Sequence, residues 1–421
     1  MKEKKIDRRT FIKGASLTGL AVSTFGFPTI LRSATKMEEV EIGVVYPLTG
    51  YTGAMGTNAI RGWNIAVDEI NAEGGIKSLG GAKIKTALAD TQSTPRIAMI
   101  EIEKVAQNKN IPLVVGCWAS ATTFPATQVS EQYGLPHIVD TATNPAILER
   151  GFKYCFRIIA HSRKMNEQVL DFVLDIGKKT GHVPKRAAIL GIDDSYGRSS
   201  SEDFKGAIKK KTDQEIVEEI YYSSKATNLD VEIAKIKAAK TDAIYASGYF
   251  TDATLIVRAL QAQKVNLIGY LTGGSGYFDP KFLESVGPLA NYILGLSVWN
   301  YDLTRPQEQQ FQDKVKKRYG VDANHHSALM YSTAYIIKDV LERAGTIDRE
   351  KVRDAIAKTH ITSGRALTIP AKFIKFDEKG ENIGLDIVMV QCFEGAYHTV
   401  WPSEFKGKYN PVWPIPKWED R

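Results

Sequence analysis

Cysteine is scarce: Cys117, Cys155 and Cys392 are the only three in 421 residues. That is too few for a disulfide scaffold, and no CxxC or Cys/His spacing suggests a metal centre. One bridge in an oxidising compartment and three buried free thiols both stay open. Nucleotide signatures are missing too. Neither GxGxxG nor GK[ST] occurs. The glycine-rich stretch PLTGYTGAMGTNAIRG spaces Gly50, Gly53 and Gly56 as GxxGxxG, which reads as a flexible loop passing close to a ligand. No GxSxG elbow is present, and His137 and His161 stand in no recognisable nucleophile–base pairing, so catalysis is not expected. The adjacent His325 and His326 would point about 100° apart on a helix, which favours surface or capping roles over a shared metal. No cofactor is expected.

Charge of one sign is also sparse once its location is known. The net charge is +7, but residues 1–34 carry seven basic against two acidic residues and account for +5 of it. The remainder has no excess that would suit nucleic acid. The basic segment KEKKIDRRTFIKG precedes ASLTGLAVSTFGFPTIL, a weakly apolar run of small residues. A positive start, a short apolar middle and small residues before a polar stretch describe an export signal, too short and mild for an anchor. Arg8 and Arg9 followed by Phe11 and Lys13 resemble a twin-arginine signal. Cleavage is expected near Ala34, leaving a soluble periplasmic protein.

What the chain does have is alternation. Short apolar runs, from VEIGVVY through KIKTALA, IPLVVG, LPHIV, RAAILGI, EIVEEIYY, DAIYASG and NLIGYL to YILGLSVW, alternate with helical periodicity. Trp63, Ala66, Val67 and Ile70 mark one helix, stopped by Gly74-Gly75. Thr94-Pro95 opens another, and Ser200 with Asp203 reads as a capping box. Such alternation implies an α/β fold with parallel sheets covered by helices. The strands are too many for one sheet, so two lobes are expected: 38–157 plus 300–365, and 158–299 plus 366–400. The stretch 366–400 reads as antiparallel strands around a DEKG turn, and the Pro- and Trp-rich tail 401–421 as a strap over a groove.

In open parallel sheets ligands sit beyond the carboxyl ends of the strands. Trp118, Ser120, Thr122 and Thr123 follow one run, and Thr141 and Thr143 follow the next. Hydroxyls at a strand end, just before a helix, suit an anion such as a carboxylate. Simple helix capping is the alternative for each hydroxyl alone. Tyr196, Tyr249 and the LTGGSGYF loop bring aromatics at the same level, which suggests a ligand clamped between lobes.

In order, EIGVVYPLTG, IRGWNIAVDEINAEGGI, VVGCWASATT, DTATNP, DDSYG, ASGYF and the DEKG segment resemble type I periplasmic solute-binding proteins, more narrowly the leucine/isoleucine/valine-binding family that feeds ABC importers. The resemblance spans nearly everything after residue 38. It implies two Rossmann-like lobes joined by three crossovers, closing on a small ligand. It implies that Trp118, Ser120, Thr141, Thr143, Tyr196, Tyr249 and Ser275 hold that ligand, with the hydroxyls on a carboxylate. It implies a monomer whose partners are a membrane permease and its ATPase, or, as the alternative, a sensor for chemotaxis or two-component signalling. Two departures stand out. Ser275 occupies the place where amino-acid binders of the family put the acidic partner of the ammonium, leaving Asp193, Asp194 or Asp279 to replace it, or a ligand without an ammonium. Gln92 and Ala119 occupy the places of the family's early cysteine pair, with Cys117–Cys155 as a substitute bridge.

Overall fold

The computed structural model describes residues 37–421 other than 274, 279 and 406. The export segment, Asp279 and the side chain of Ser275 lie outside the described residues. The alternation read from the sequence is the architecture. Strands β1 (Glu39–Tyr46), β2 (Lys83–Asp90), β3 (Val114–Gly116), β4 (His137–Val139) and β5 (Cys155–Arg157) form a parallel sheet in the order β2-β1-β3-β4-β5. Helices α1 (Gly53–Ala72), α2 (Pro95–Gln107) and α3 (Ser120–Gln132) supply the crossovers that parallel pairing requires.

The chain leaves this sheet after β5. It continues through α4 (Ser162–Thr180), β6 (Arg186–Ile192), α5 (Ser195–Lys211), β7 (Glu215–Tyr222), α6 (Asp230–Ala238), β8 (Ala243–Ser247), α7 (Phe250–Ala262), β9 (Gly269–Thr272), α8 (Pro280–Val286) and β10 (Leu294–Ser297). It then returns to the first sheet as α9 (Pro306–Tyr319), α10 (His325–Ala344) and α11 (Arg349–Ala357). The hydroxyls of Tyr331 and Tyr335 on α10 donate to Glu69 on α1 at 2.8 and 2.7 Å. The Arg349 guanidinium of α11 caps the carbonyls of Ala106, Asn108 and Ile111. After a two-residue pairing of β11 (His360–Ile361) with β12 (Ile374–Lys375), the hairpin of β13 (Val388–Phe393) and β14 (Ala396–Trp401) completes a second sheet, ordered β14-β13-β10-β9-β8-β6-β7. The DEKG turn joins the bridged residues Phe376 and Asn382.

Local readings fared unevenly. The GxxGxxG stretch is a loop only as far as Thr52: Gly50 lies in the turn, while Gly53 and Gly56 lie in the first turn of α1. A Cβ on Gly56 would stand 1.8 Å from the Pro47 carbonyl oxygen, so the glycine lets the helix start against the end of β1. Ser200 and Asp203 lie inside α5 and do not cap it; Asp194 does, accepting from the N–H groups of Tyr196 and Gly197. The three cysteines are buried free thiols. The tail packs on the second sheet: Trp413 and Trp418 donate from Nε1 to the carbonyls of His182 and Val265, both at 2.8 Å, and the Trp413 ring covers Gly269 of β9.

One contact between helices depends on a missing side chain. A Cβ on Gly62 of α1 would lie 1.8 Å from the Ser327 carbonyl oxygen of α10. Gly62→Ala is expected to push the two helices apart and cost about 1–3 kcal/mol in urea denaturation, overpacking outweighing the helix propensity gained.

Candidate ligand-binding site

In the first sheet the strand order reverses direction between β1 and β3, and in the second between β6 and β8. These are the switch points where loops part and leave a crevice. The loops after β3 and β4 and those after β6 and β8 meet around one cavity of about 50 Å³.

The turn after β3 is braced by two of the hydroxyls noted in the sequence. Thr122 Oγ1 donates to the carbonyls of Cys117 and Ala119, both at 2.8 Å. Thr123 Oγ1 accepts from the Cys117 N–H at 3.1 Å. With the turn so tied, Trp118 adopts a left-handed backbone (φ 67°) and its ring reaches the cavity. Ser120 also lines the cavity and opens α3, whose first N–H groups have no partner within the helix. Its Oγ accepts only a long bond, 3.3 Å, from the Asn144 N–H.

After β4 come Asp140, Thr141 and Thr143. Thr141 and Thr143 line the cavity; Asp140 lies fully buried behind them. Thr141 Oγ1 donates to Asp140 Oδ2 at 2.7 Å, and the Tyr46 hydroxyl donates to the same oxygen. Asp140 Oδ1 and Thr143 Oγ1 are buried without a partner. From the second sheet, Tyr196 donates to the Gly273 carbonyl at 3.0 Å, and Tyr249 donates to Asp194 Oδ2 at 3.2 Å. The Tyr249 ring lies 5.6 Å from Tyr196 and from Tyr51, and 6.2 Å from Trp118, centre to centre. Asn144 bonds Ser195 at 2.9 Å across the same cleft. Six of the seven residues expected to hold a ligand thus surround one space.

Two residues that matter were read differently. His325 and His326 are neither surface nor capping groups. They are buried, their rings 3.8 Å apart, and His325 lines the cavity while His326 packs on Trp118 at 5.4 Å. Asn324 caps α10 in their place. The sequence signal available was their position at the start of the long helix lined by Met330, Ala334, Ile337 and Leu341, and the topology aims that helix end at the cleft.

A profile described as periplasmic binding protein matches residues 39–395. The chain belongs to the periplasmic binding protein family. Leu/Ile/Val-binding protein homolog 7 of Brucella suis is 24% identical over 383 residues, covering 88% of this chain and 93% of its own. Two solved structures share the fold. The branched-chain amino acid transporter substrate-binding protein of Streptococcus pneumoniae, in complex with isoleucine, has a TM-score of 0.75 at 22% identity and covers 86% of this chain and 100% of its own. A solute-binding protein of an ABC transporter from R. palustris, in complex with benzoate, has a TM-score of 0.73 at 17% identity and covers 88% and 100%. Family and fold are those of solute-binding receptors, not enzymes.

The cavity wall of this periplasmic binding protein is uncharged, with Asp140 buried behind it. Burial lowers the His325 imidazole to about 4, so it is uncharged at neutral pH, and His326 is pushed down further by burial and its neighbour. Of the acids considered for an ammonium, Asp193 is an exposed partner of Arg198 at 2.5 Å. Asp194 is spent on the α5 cap and on Tyr249, and burial raises its carboxyl. Among the described residues lining the cavity there is no carboxylate and no cation.

Proposed function

We propose that this protein is the exported receptor of an ABC importer and that it carries a small organic carboxylate without an ammonium group. In this reading residues 38–157 with 300–365 and residues 158–299 with 366–400 are two lobes that close on the ligand, monomeric, and deliver it to a permease and its ATPase. The Arg8–Arg9 segment directs export to the periplasm. The observation that carries the ligand class is the cavity wall: hydroxyls from Ser120, Thr141 and Thr143 beside a helix start, with no described carboxylate to neutralise an ammonium. An unpaired ammonium there is costly, whereas a carboxylate finds donors. Trp118, Tyr196 and Tyr249 supply apolar walls. At ~10–15 Å³ per water, the cavity holds a few water-sized groups, so a ring-bearing acid requires the lobes to part slightly. The isoleucine and benzoate complexes of the relatives place both ligand chemistries within this fold. Closure follows from population shift, since the ligand touches both lobes only when they meet.

The test is a thermal-shift series on the exported protein with aliphatic and aromatic acids, each beside its α-amino counterpart. Acids should raise Tm and amino acids should not. A larger shift with leucine than with its deaminated acid would overturn the ligand class. Ser120→Ala is expected to weaken acid binding by about 1–3 kcal/mol in calorimetry, and Thr143→Val by a similar amount. Thr143→Val should also stabilise the ligand-free protein, because the hydroxyl it removes is buried without a partner. Unchanged affinity in both variants would remove the hydroxyls from the site.

A further inference from the structure

We propose a second small-molecule site, distinct from the hydroxyl-lined cavity, that takes a monocyclic aromatic carboxylate. It is a chamber of about 440 Å³ between α1, the start of α10, β10 and β14. Such a volume lies within the ~300–1,000 Å³ usual for small-ligand pockets. Its walls are rings: Phe278, Trp299, Tyr301 and Tyr397.

The polar groups on these walls fall into two sets. Most are satisfied. Asn324 Oδ1 accepts from the Ser327 N–H, Asn300 Nδ2 donates to Asp302 and to the Tyr397 carbonyl, and Ser297 Oγ donates to the Trp299 carbonyl. Asp322 is ion-paired with Lys316 at 3.0 Å. Three residues keep a donor to spare. Arg61 gives one bond to Asn58 at 2.7 Å and makes no ion pair among the described residues. Trp299 Nε1 and the Tyr397 hydroxyl are buried with no partner, in side chains 1% and 5% exposed. One unpaired cation among four rings fits a flat apolar body with an anionic end, and the two unpartnered donors lie behind the ring wall. A guanidinium gives such an end a bidentate partner.

The chamber and the cavity share Ser297 and His325 as a party wall. A run of ring contacts crosses it: Tyr397 on Phe278 at 4.8 Å, Phe278 on His325 at 5.5 Å, His325 on His326, and His326 on Trp118. The inference does not rest on what fills the first cavity.

The experiment is fluorine NMR of the whole exported protein with para-fluorobenzoate. Wild type should show two bound resonances. Arg61→Gln should weaken one by about tenfold or more, the worth of a charged hydrogen bond, and leave the other unchanged. Tyr397→Phe, which keeps the ring, should weaken the same resonance. Thr143→Val should affect only the other. A single resonance indifferent to Arg61→Gln and Tyr397→Phe overturns the second site, and its loss in Thr143→Val then leaves the proposed function standing. A single resonance lost only in Arg61→Gln and Tyr397→Phe supports the second site and removes this acid from the first cavity. No bound resonance overturns the proposal.

Discussion

Arg157→Met should cost about 3–5 kcal/mol at high pH, close to the limit for one substitution. Arg157 ends β5 and is fully buried. Its guanidinium donates to the Ala142 carbonyl at 3.2 Å and otherwise faces Glu381, with Nη2 3.2 Å from Oε1. That approach is close enough for an ion pair, though the angle is too poor for a hydrogen bond. The segment carrying Glu381 runs beside β5 as an extra strand. The Arg157 N–H donates to the Gly380 carbonyl at 2.8 Å, and the Asn382 N–H donates to the Arg157 carbonyl at 3.0 Å. Losing the guanidinium leaves the Glu381 carboxylate without its counter-charge. Burial holds the Glu381 carboxyl up, at about 7, against the pull of Arg157. The comparison therefore belongs above that value, where the pair is ionised. Replacing both residues, as Arg157→Met with Glu381→Leu, should recover most of the loss in urea denaturation. An Arg157→Met variant within ~1 kcal/mol of wild type would show that Glu381 needs no counter-charge.

The second large effect concerns Asp140. Burial raises its carboxyl from an ordinary 3.8 to about 6, despite the hydrogen bonds from Tyr46 and Thr141. The folded state therefore holds the proton more tightly than the unfolded chain. When both forms are protonated, at low pH, Asp140 costs nothing. As pH rises through the unfolded value the unfolded chain ionises first and stability falls, and above the folded value the loss is constant, at about 3 kcal/mol. Asp140→Asn keeps an acceptor for both hydroxyls and removes the charge. Its stability relative to wild type should improve by about 2 kcal/mol between roughly pH 4.5 and pH 7.5. Parallel urea titrations at the two values would show it, and equal differences at both would refute the buried charge. The same variant should bind an acid more tightly, since the ionised Asp140 stands behind Thr141 and repels an anion in the cavity.

Periodicity and strand-end placement were legible in the sequence because each depends on neighbours in the chain. The nine apolar runs became β1 to β4 and β6 to β10, and the loops holding Trp118, Thr141, Tyr196 and Tyr249 met because parallel sheets leave their crevice there. What the sequence hid depends on burial. In DTATNP the hydroxyls drew notice and Asp140 did not, since nothing local marks an aspartate as fully buried. Thr122 and Thr123 looked like ligand groups, yet they hold a turn, and a hydroxyl's partner three to six residues away is not written in its spacing. His325 came to line the cavity, with His326 against Trp118, only because α10 returns from the second sheet to the first. Gly53 and Gly56 suggested a loop because glycine opposes helix, but the close approach of Leu48 and Pro47 required them.

The docking of the tail has a practical consequence. The described chain enters through β1 in the five-stranded sheet and finishes on the seven-stranded one, fastened by Trp413, Ile415 and Trp418. The start of β1 and the tail end around Trp418 therefore ride on opposite sides of the cleft. A donor dye on one end and an acceptor on the other would turn each capture of solute into a change in energy transfer, and the protein into its own optical gauge.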